Sequence, residues 1–205
     1  MSNCDCSIEA DHRSQRGVLR ILLLINGSMF LAELIAGIIA DSSGLLGDSI
    51  DMLADALVYG VALYAVGRSK RTKTNAASMS GLFQAMLALT LAVDIFRRLR
   101  GGSDPEARLM VVVSLVALAA NVYCLRLLAR HRRGEIHMRA SWIFTRNDVL
   151  VNLGVVTGGV LVSLTGSRYP DLLIGGAIAW LVFRGGLRIL RESAAERRRV
   201  GEPGG

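Results

Sequence analysis

The chain has 205 residues, 52% of them hydrophobic, and a formal net charge of +7 at neutral pH. Its three cysteines are too few for the disulfide framework of a small secreted protein. The basic residues stand in short clusters between apolar blocks, so the net charge does not indicate binding to nucleic acid. The arrangement of the apolar residues therefore decides the class of protein.

Six apolar blocks follow one another along the chain. A helix of about 20 apolar residues spans the hydrocarbon core of a bilayer. Helices also satisfy every backbone hydrogen bond internally, which lipid requires. We therefore predict an all-α integral membrane protein with six transmembrane helices. The blocks occupy residues 18–40, 45–66, 76–96, 109–128, 137–164 and 172–190.

The chain divides into a membrane domain and two polar tails. Residues 18–191 form the predicted six-helix domain, and residues 192–205 form a short charged tail with no room for a soluble domain. Residues 1–17 are predicted to be a disordered cytoplasmic tail. Because Cys4, Cys6 and His12 are soft or borderline ligands, this tail is also a candidate accessory arm for metal capture.

Basic residues predict the orientation of the helices. With a cytoplasmic amino terminus, 18 Lys and Arg residues fall in the inside segments and five in the outside segments. Positive charge is retained on the cytoplasmic side. We therefore expect both termini in the cytoplasm, and a location in the inner membrane of a bacterium.

The second block carries three carboxylates on one helical face. At about 100° per residue, Asp48 and Asp55 fall nearly in line, with Asp51 about 60° away. Ionisable groups inside a membrane are costly, so each needs a partner, a proton or a cation. The rest of the chain is expected to supply those partners.

The fifth block carries a fourth carboxylate at a matching depth. At 1.5 Å per residue, Asp148 lies ~16 Å and Asp55 ~18 Å from the cytoplasmic ends of their helices, both near the membrane midplane. Thr145 and Asn152 share the face of Asp148. Asn147 adjoins Asp148 but lies about 100° round the helix, so it is a weaker ligand candidate.

Other polar residues have more than one interpretation. Glu33 near the middle of the first block, on one face with Asn26, suits either a structural hydrogen bond or passage of protons or ions. Asp94 is expected to pair with the arginines that follow it. Small residues in the sixth block predict a helix-packing surface. They are Gly175, Gly176, Gly185 and Gly186.

Asp51, Asp55 and Asp148 together suggest a site for a divalent cation. Oxygen ligands gathered in this way coordinate such ions. Three ionised carboxylates cannot coexist in a low dielectric without cations or protons, so exchange of metal for protons follows. The alternative is a fixed polar network that braces the helices.

These motifs resemble the transmembrane domain of the cation diffusion facilitator family. The resemblance covers about residues 18–191, and its paired motifs lie on the second and fifth helices. It rests on Asn26, Glu33 and Gly37, on Ser-Ser-Gly-Leu-Leu-Gly-Asp at 42–48, on Asp51-x-x-x-Asp55, and on Asp148-Val-Leu-Val-Asn152.

The resemblance implies a homodimeric transporter that exports zinc, or cobalt, cadmium, manganese or iron, from the cytoplasm against protons. By this analogy the metal ligands are Asp51, Asp55 and Asp148. Phe144 stands where the family's helix-five His would be, and the usual cytoplasmic metal-binding domain is missing. The residues that could complete an oxygen-rich shell or a proton path are Thr145, Asn147, Asn152, Asp48 and Glu33.

The sequence can also be interpreted through two other classes of function. A non-transporting membrane subunit could regulate a full-length cation efflux protein. An enzyme is not expected, because the sequence has no visible pairing of a nucleophile with a base.

Overall fold

The computed structural model describes residues 3–65, 70–129 and 136–201, and every regular element in these ranges is an α-helix. Six helices follow one another, each over one of the predicted apolar blocks. They are α1 (Asn3–Ile39), α2 (Ser43–Ala65), α3 (Lys70–Gly101), α4 (Ala107–Ala129), α5 (Ile136–Thr165) and α6 (Tyr169–Gly201). The all-α prediction is confirmed.

Five of the six helices, all except α2, are long and apolar enough to cross a membrane. Helix α2 has 23 residues and carries Asp48, Asp51 and Asp55. It packs against each of the other five helices. The helix that carries these three carboxylates is therefore also the one at the centre of the bundle.

The polarity of the bundle is reversed relative to a water-soluble protein. Large apolar side chains face outward, with Leu24, Leu164 and Leu173 each more than two-thirds exposed. Polar side chains such as Asn26 and Glu33 are fully buried. Since water would favour the opposite arrangement, this pattern indicates a bundle surrounded by lipid.

Close helix contacts explain the glycines of α6. Helices α3 and α6 cross at Gly81 and Gly186, where a Cβ added to Gly186 would lie 2.7 Å from the carbonyl oxygen of Gly81. A Cβ on Gly175 would lie 2.7 Å from the carbonyl oxygen of Ser43 on α2. The predicted packing surface thus serves contacts within one protomer, although Gly176 has no atom within 4 Å of its added Cβ.

We predict that Gly175→Ala destabilises the protein and that Gly176→Ala does not. The first methyl group would overlap the Ser43 backbone, and overpacking costs about 1–3 kcal/mol. The second enters open space and improves helix propensity. Thermal unfolding in detergent should show a melting temperature roughly 5 °C lower for Gly175→Ala alone. Equal melting temperatures for the two variants would contradict the packing of α6 on α2.

The turn between α1 and α2 is tied to the rest of the bundle through Asp41. This residue has a left-handed backbone, with φ of 50°. Its carboxylate accepts hydrogen bonds from Arg98 and, at 2.9 Å, from the backbone N–H of Asp104. Arg98 and Arg97 also pair with Asp94, so the ion pair predicted for Asp94 is confirmed. The ends of α1, α2 and α3 are thereby held together.

The amino terminus of α2 is capped by a residue of α6, a helix that is distant in sequence but packed against α2. Asp171 on α6 is fully buried and accepts hydrogen bonds from the Ser42 hydroxyl at 2.6 Å, the Ser43 N–H at 2.7 Å and the Gly44 N–H at 2.9 Å. Ser42 in turn accepts from the Leu45 N–H at 3.1 Å. The first N–H groups of a helix have no partner within it, and these contacts satisfy three of them.

The helices extend beyond the predicted membrane domain at both ends. Helix α1 begins at Asn3 and α6 ends at Gly201, so helical backbone enters the segments 1–17 and 192–205 that were expected to be tails. Once a helix is nucleated, each added residue gains a hydrogen bond at little further entropic cost, which favours such extensions. Cys4, Cys6 and His12 lie outside the side chains that the structure describes.

Candidate metal centre

Three residues of α2 line up along the inner face of the helix. Asp51, Asp55 and Tyr59 are spaced by four residues, so they stand one above another. Their exposed fractions are 7%, 6% and 0%. The apolar length of α2 therefore carries a buried polar strip through the middle of the bundle.

Helix α5 brings Asp148 to this strip. The Asp148 side chain is 3% exposed, so it faces the bundle interior. It lies close enough to both Asp55 and Asp51 to interact with them electrostatically. The structure thus places the carboxyl group of Asp148 near those of Asp51 and Asp55. That the three bind one ion stays a prediction.

A tyrosine links the same two helices one turn further along. The Tyr59 hydroxyl donates to Oδ2 of Asp55 at 3.0 Å and lies 3.1 Å from the Thr145 hydroxyl on α5. Thr145 is fully buried. Thr145 thus contacts the phenol that orients Asp55, and the described contacts form a chain from α5 to α2.

A second set of buried polar side chains lies beside Asp51, Asp55 and Asp148. Asn152 on α5 donates to Oδ1 of Asp48 at 3.4 Å and to the backbone carbonyl of Asp148 at 2.9 Å. Glu33 on α1 is fully buried and lies near Asp48 and Asp51. The carboxyl groups of Asp48 and Glu33 therefore extend the row of buried acids from α2 toward α1.

Several buried carboxyl oxygens in the described part of the chain have no hydrogen-bond partner. They are both oxygens of Glu33 and one oxygen each of Asp48, Asp51 and Asp148. A buried carboxylate without a partner is costly, and protons or a cation would remove that cost. Among the side chains that the structure describes, no three Asp, Glu, His or Cys residues form a group that could hold a metal ion.

A cavity of about 600 Å³ reaches Asp51 and Asp55 from one end of the bundle. Asp51, Asp55, Gln84 and Asn147 line its inner part. Its other lining residues extend along α2, the beginning of α3 and the end of α6, which is the end of the bundle where the predicted cytoplasmic segments lie. They include Val61, Thr74, Ala77, Arg188, Glu192 and Glu196.

Comparisons with known proteins agree with this architecture. Residues 19–196 match the family described as the cation efflux transmembrane domain. The match covers most of the chain and includes all four helical segments that carry the buried carboxylates. The chain belongs to the cation efflux family.

Relatives in the cation efflux family are distant but similar over most of this chain. The metal cation efflux system protein CzcD of Cupriavidus metallidurans is 23% identical in an alignment of length 197 that covers 87% of this chain and 62% of CzcD. A cadmium, cobalt and zinc/H(+)-K(+) antiporter of Bacillus velezensis is 23% identical over 88% of this chain and 62% of its own length.

The zinc transporter ZitB of Escherichia coli is 24% identical over 187 residues, 84% of this chain and 59% of ZitB. The chain thus spans about 60% of the length of these curated cation efflux relatives. The cation efflux family is one of transporters, so the match agrees with the prediction that the chain is not an enzyme.

Sequence reasoning missed two residues that shape this cation efflux domain. Tyr59 is i+4 to Asp55 on the same helical face, and that spacing is the signal that could have found it. Gln84 on α3 donates to the backbone carbonyl of Ala54 at 3.1 Å, between Asp51 and Asp55 of α2. No local pattern predicts that contact. The side chain of Phe144 lies outside those that the structure describes.

Proposed function

We propose that this protein exports divalent metal cations from the cytoplasm in exchange for protons. The observation that carries the proposal is the cavity that leads from one end of the bundle to Asp51 and Asp55. A cation that enters this cavity meets carboxyl oxygens in a site otherwise surrounded by apolar helices. Family membership and the printed names of the relatives, which are metal efflux and zinc transport proteins, support the same function.

Asp51, Asp55 and Asp148 are the proposed metal ligands. Their carboxyl groups already lie near one another, and a bound cation would draw them closer by neutralising their mutual repulsion. Thr145, Asn147 and Asn152 are further candidate ligands, as the sequence analysis proposes.

Protons are the ions that such a site would exchange for the metal cation. Buried carboxyl groups as close as those of Asp55 and Asp148 favour keeping a proton when no cation is bound. A divalent cation that binds both carboxylates must displace this proton. Asp48 and Glu33, which lie beside the site, are the proposed path by which protons enter or leave.

The proposed topology has six membrane spans with both termini in the cytoplasm. Helix α2 is included because five neighbours shield its carboxylates from lipid. Basic clusters then lie on the cytoplasmic side, as expected from their distribution. We propose a homodimer in the inner membrane of a bacterium, with lipid around the apolar outer surface.

Flux measurements on the purified protein test the proposed function. Proteoliposomes that contain only this chain should take up zinc when a proton gradient is imposed, and the uptake should collapse with the gradient. Vesicles without protein are the control. Absence of flux for zinc, cobalt, cadmium, manganese and iron would refute the proposal and favour a non-transporting regulatory subunit.

We expect zinc or a related ion to be the cargo, with a selectivity that depends on position 144. Phe144→His would add an imidazole one turn before Asp148, and zinc favours tetrahedral sites that include His. Competitive uptake should show the zinc-to-manganese preference rising several-fold in this variant. Unchanged preference would place residue 144 outside the metal site.

A further inference from the structure

Tyr59 is the buried polar residue whose contacts best define the geometry of the metal site. Its side chain is fully buried, and its hydroxyl touches one proposed ligand, Asp55, and one residue of the opposite helix, Thr145. Its ring packs with Leu19, Leu22 and the residues around Cys124. The phenol is thus held in place by apolar contacts while its oxygen faces the site.

The two hydrogen bonds have a defined direction. A phenol has one hydrogen to donate, and an ionised carboxylate can only accept. Because Tyr59 donates to Asp55, the Thr145 hydroxyl must donate to Tyr59. The result is a row of two hydrogen bonds, from Thr145 on α5 to the Tyr59 phenol and from the phenol to Asp55 on α2. It keeps Asp55 at a fixed distance from the helix that carries Asp148.

The same contact limits how Asp55 can bind a metal. Its Oδ2 accepts the hydrogen bond at 3.0 Å, so a cation bound to both oxygens would share Oδ2 with the phenol, whereas a cation bound to Oδ1 alone would not. Coordination through one oxygen suits zinc, which takes four ligands at about 2.0–2.2 Å. Larger or harder ions take more oxygen ligands and often bind both oxygens of a carboxylate.

We propose that Tyr59 is a positioning residue that holds Asp55 in a one-oxygen binding geometry, fixes the spacing of α2 and α5 through Thr145, and thereby favours zinc over manganese. This inference rests on the proposed transport function. Tyr59 acts on the cation through Asp55 and is not itself a ligand.

The test compares Tyr59→Phe with the wild-type protein in proteoliposomes. Phenylalanine keeps the ring and its packing but removes the hydroxyl. A hydrogen bond to a charged group contributes enough that its loss should raise the KM for zinc on the order of ten-fold. The maximal rate should stay within about three-fold, since no ligand is lost. The KM for manganese should change less, so the zinc-to-manganese preference should fall.

Two further variants separate positioning from packing. Thr145→Val removes the hydroxyl at the other end of this row of hydrogen bonds with little change in side-chain shape. The double variant with Tyr59→Phe should raise the KM for zinc by less than the two single effects combined. Tyr123→Phe removes the hydroxyl of an exposed tyrosine on α4 and should leave both KM values unchanged.

The outcomes are distinguishable. A wild-type protein without metal flux refutes the proposed function itself. Active wild-type protein with the same zinc KM in Tyr59→Phe refutes only the role of Tyr59. A loss that is equal for zinc and manganese, together with a lower melting temperature, would assign Tyr59 to packing alone and also overturns the inference.

Discussion

Asp55→Asn should reduce zinc transport to the level of vesicles without protein. The amide has nearly the same shape as the carboxyl group, and its oxygen can still accept the hydrogen bond from Tyr59. It carries no charge, however, and it cannot release a proton when a cation arrives. The exchange of metal for protons between Asp55 and Asp148 would therefore be lost.

The measurement is zinc uptake into proteoliposomes at a fixed proton gradient, with protein content matched between samples. Asp104→Asn is the control, because Asp104 is exposed in the loop before α4. That variant also removes one carboxylate but should transport normally. Wild-type rates in Asp55→Asn would mean that the transported ion does not bind at this site.

Asp171→Ala should cause the largest loss of stability among single substitutions outside the proposed site. The Asp171 carboxylate accepts three hydrogen bonds at the amino terminus of α2, and all the partners are buried. Leaving a buried donor unsatisfied costs about 1–3 kcal/mol for each group. The combined loss corresponds to a melting temperature roughly 10 °C lower or more.

Asp171→Asn provides the matched comparison. Asparagine retains one acceptor oxygen and the same shape, so it should lose only part of the stability. Thermal unfolding in detergent of the three proteins should rank them as wild type, then asparagine, then alanine. An alanine variant as stable as the wild type would show that α2 does not depend on its cap from α6.

The helices and the carboxylate cluster were predictable because both follow from local spacing. Blocks of about 20 apolar residues fix the number of helices, and each observed helix overlies one block. Asp51 and Asp55 share a face through the four-residue repeat of a helix. Asp148 could be placed at the same depth from its distance to the end of its block, and its position near Asp55 in the structure agrees.

Contacts between helices that are far apart in sequence were not predictable from local spacing. The cap by Asp171 joins residues 127–129 positions apart, and the bond between Tyr59 and Thr145 joins residues 86 positions apart. These contacts depend on which helices are neighbours and how each is rotated. An apolar block specifies neither property, because lipid accepts any apolar face equally well.

Asp41 shows the same limit. It stands in a short polar turn, and its partner Arg98 lies 57 positions away. The charge of Asp41 was visible in the sequence, whereas the position of its partner depended on how α3 packs. Helix ends were also hard to predict, because polar residues can extend a helix past its apolar block, as they do in α1 and α6.

The most direct test of the metal site is an anomalous-diffraction map at the zinc edge from crystals grown with zinc. We predict a peak in the bundle interior, about 2.0–2.2 Å from carboxyl oxygens of Asp51, Asp55 and Asp148. The peak should disappear in Asp55→Asn crystals grown under the same conditions. A peak only beside Glu33 and Asp48, with none between α2 and α5 at Asp148, would contradict the proposed site.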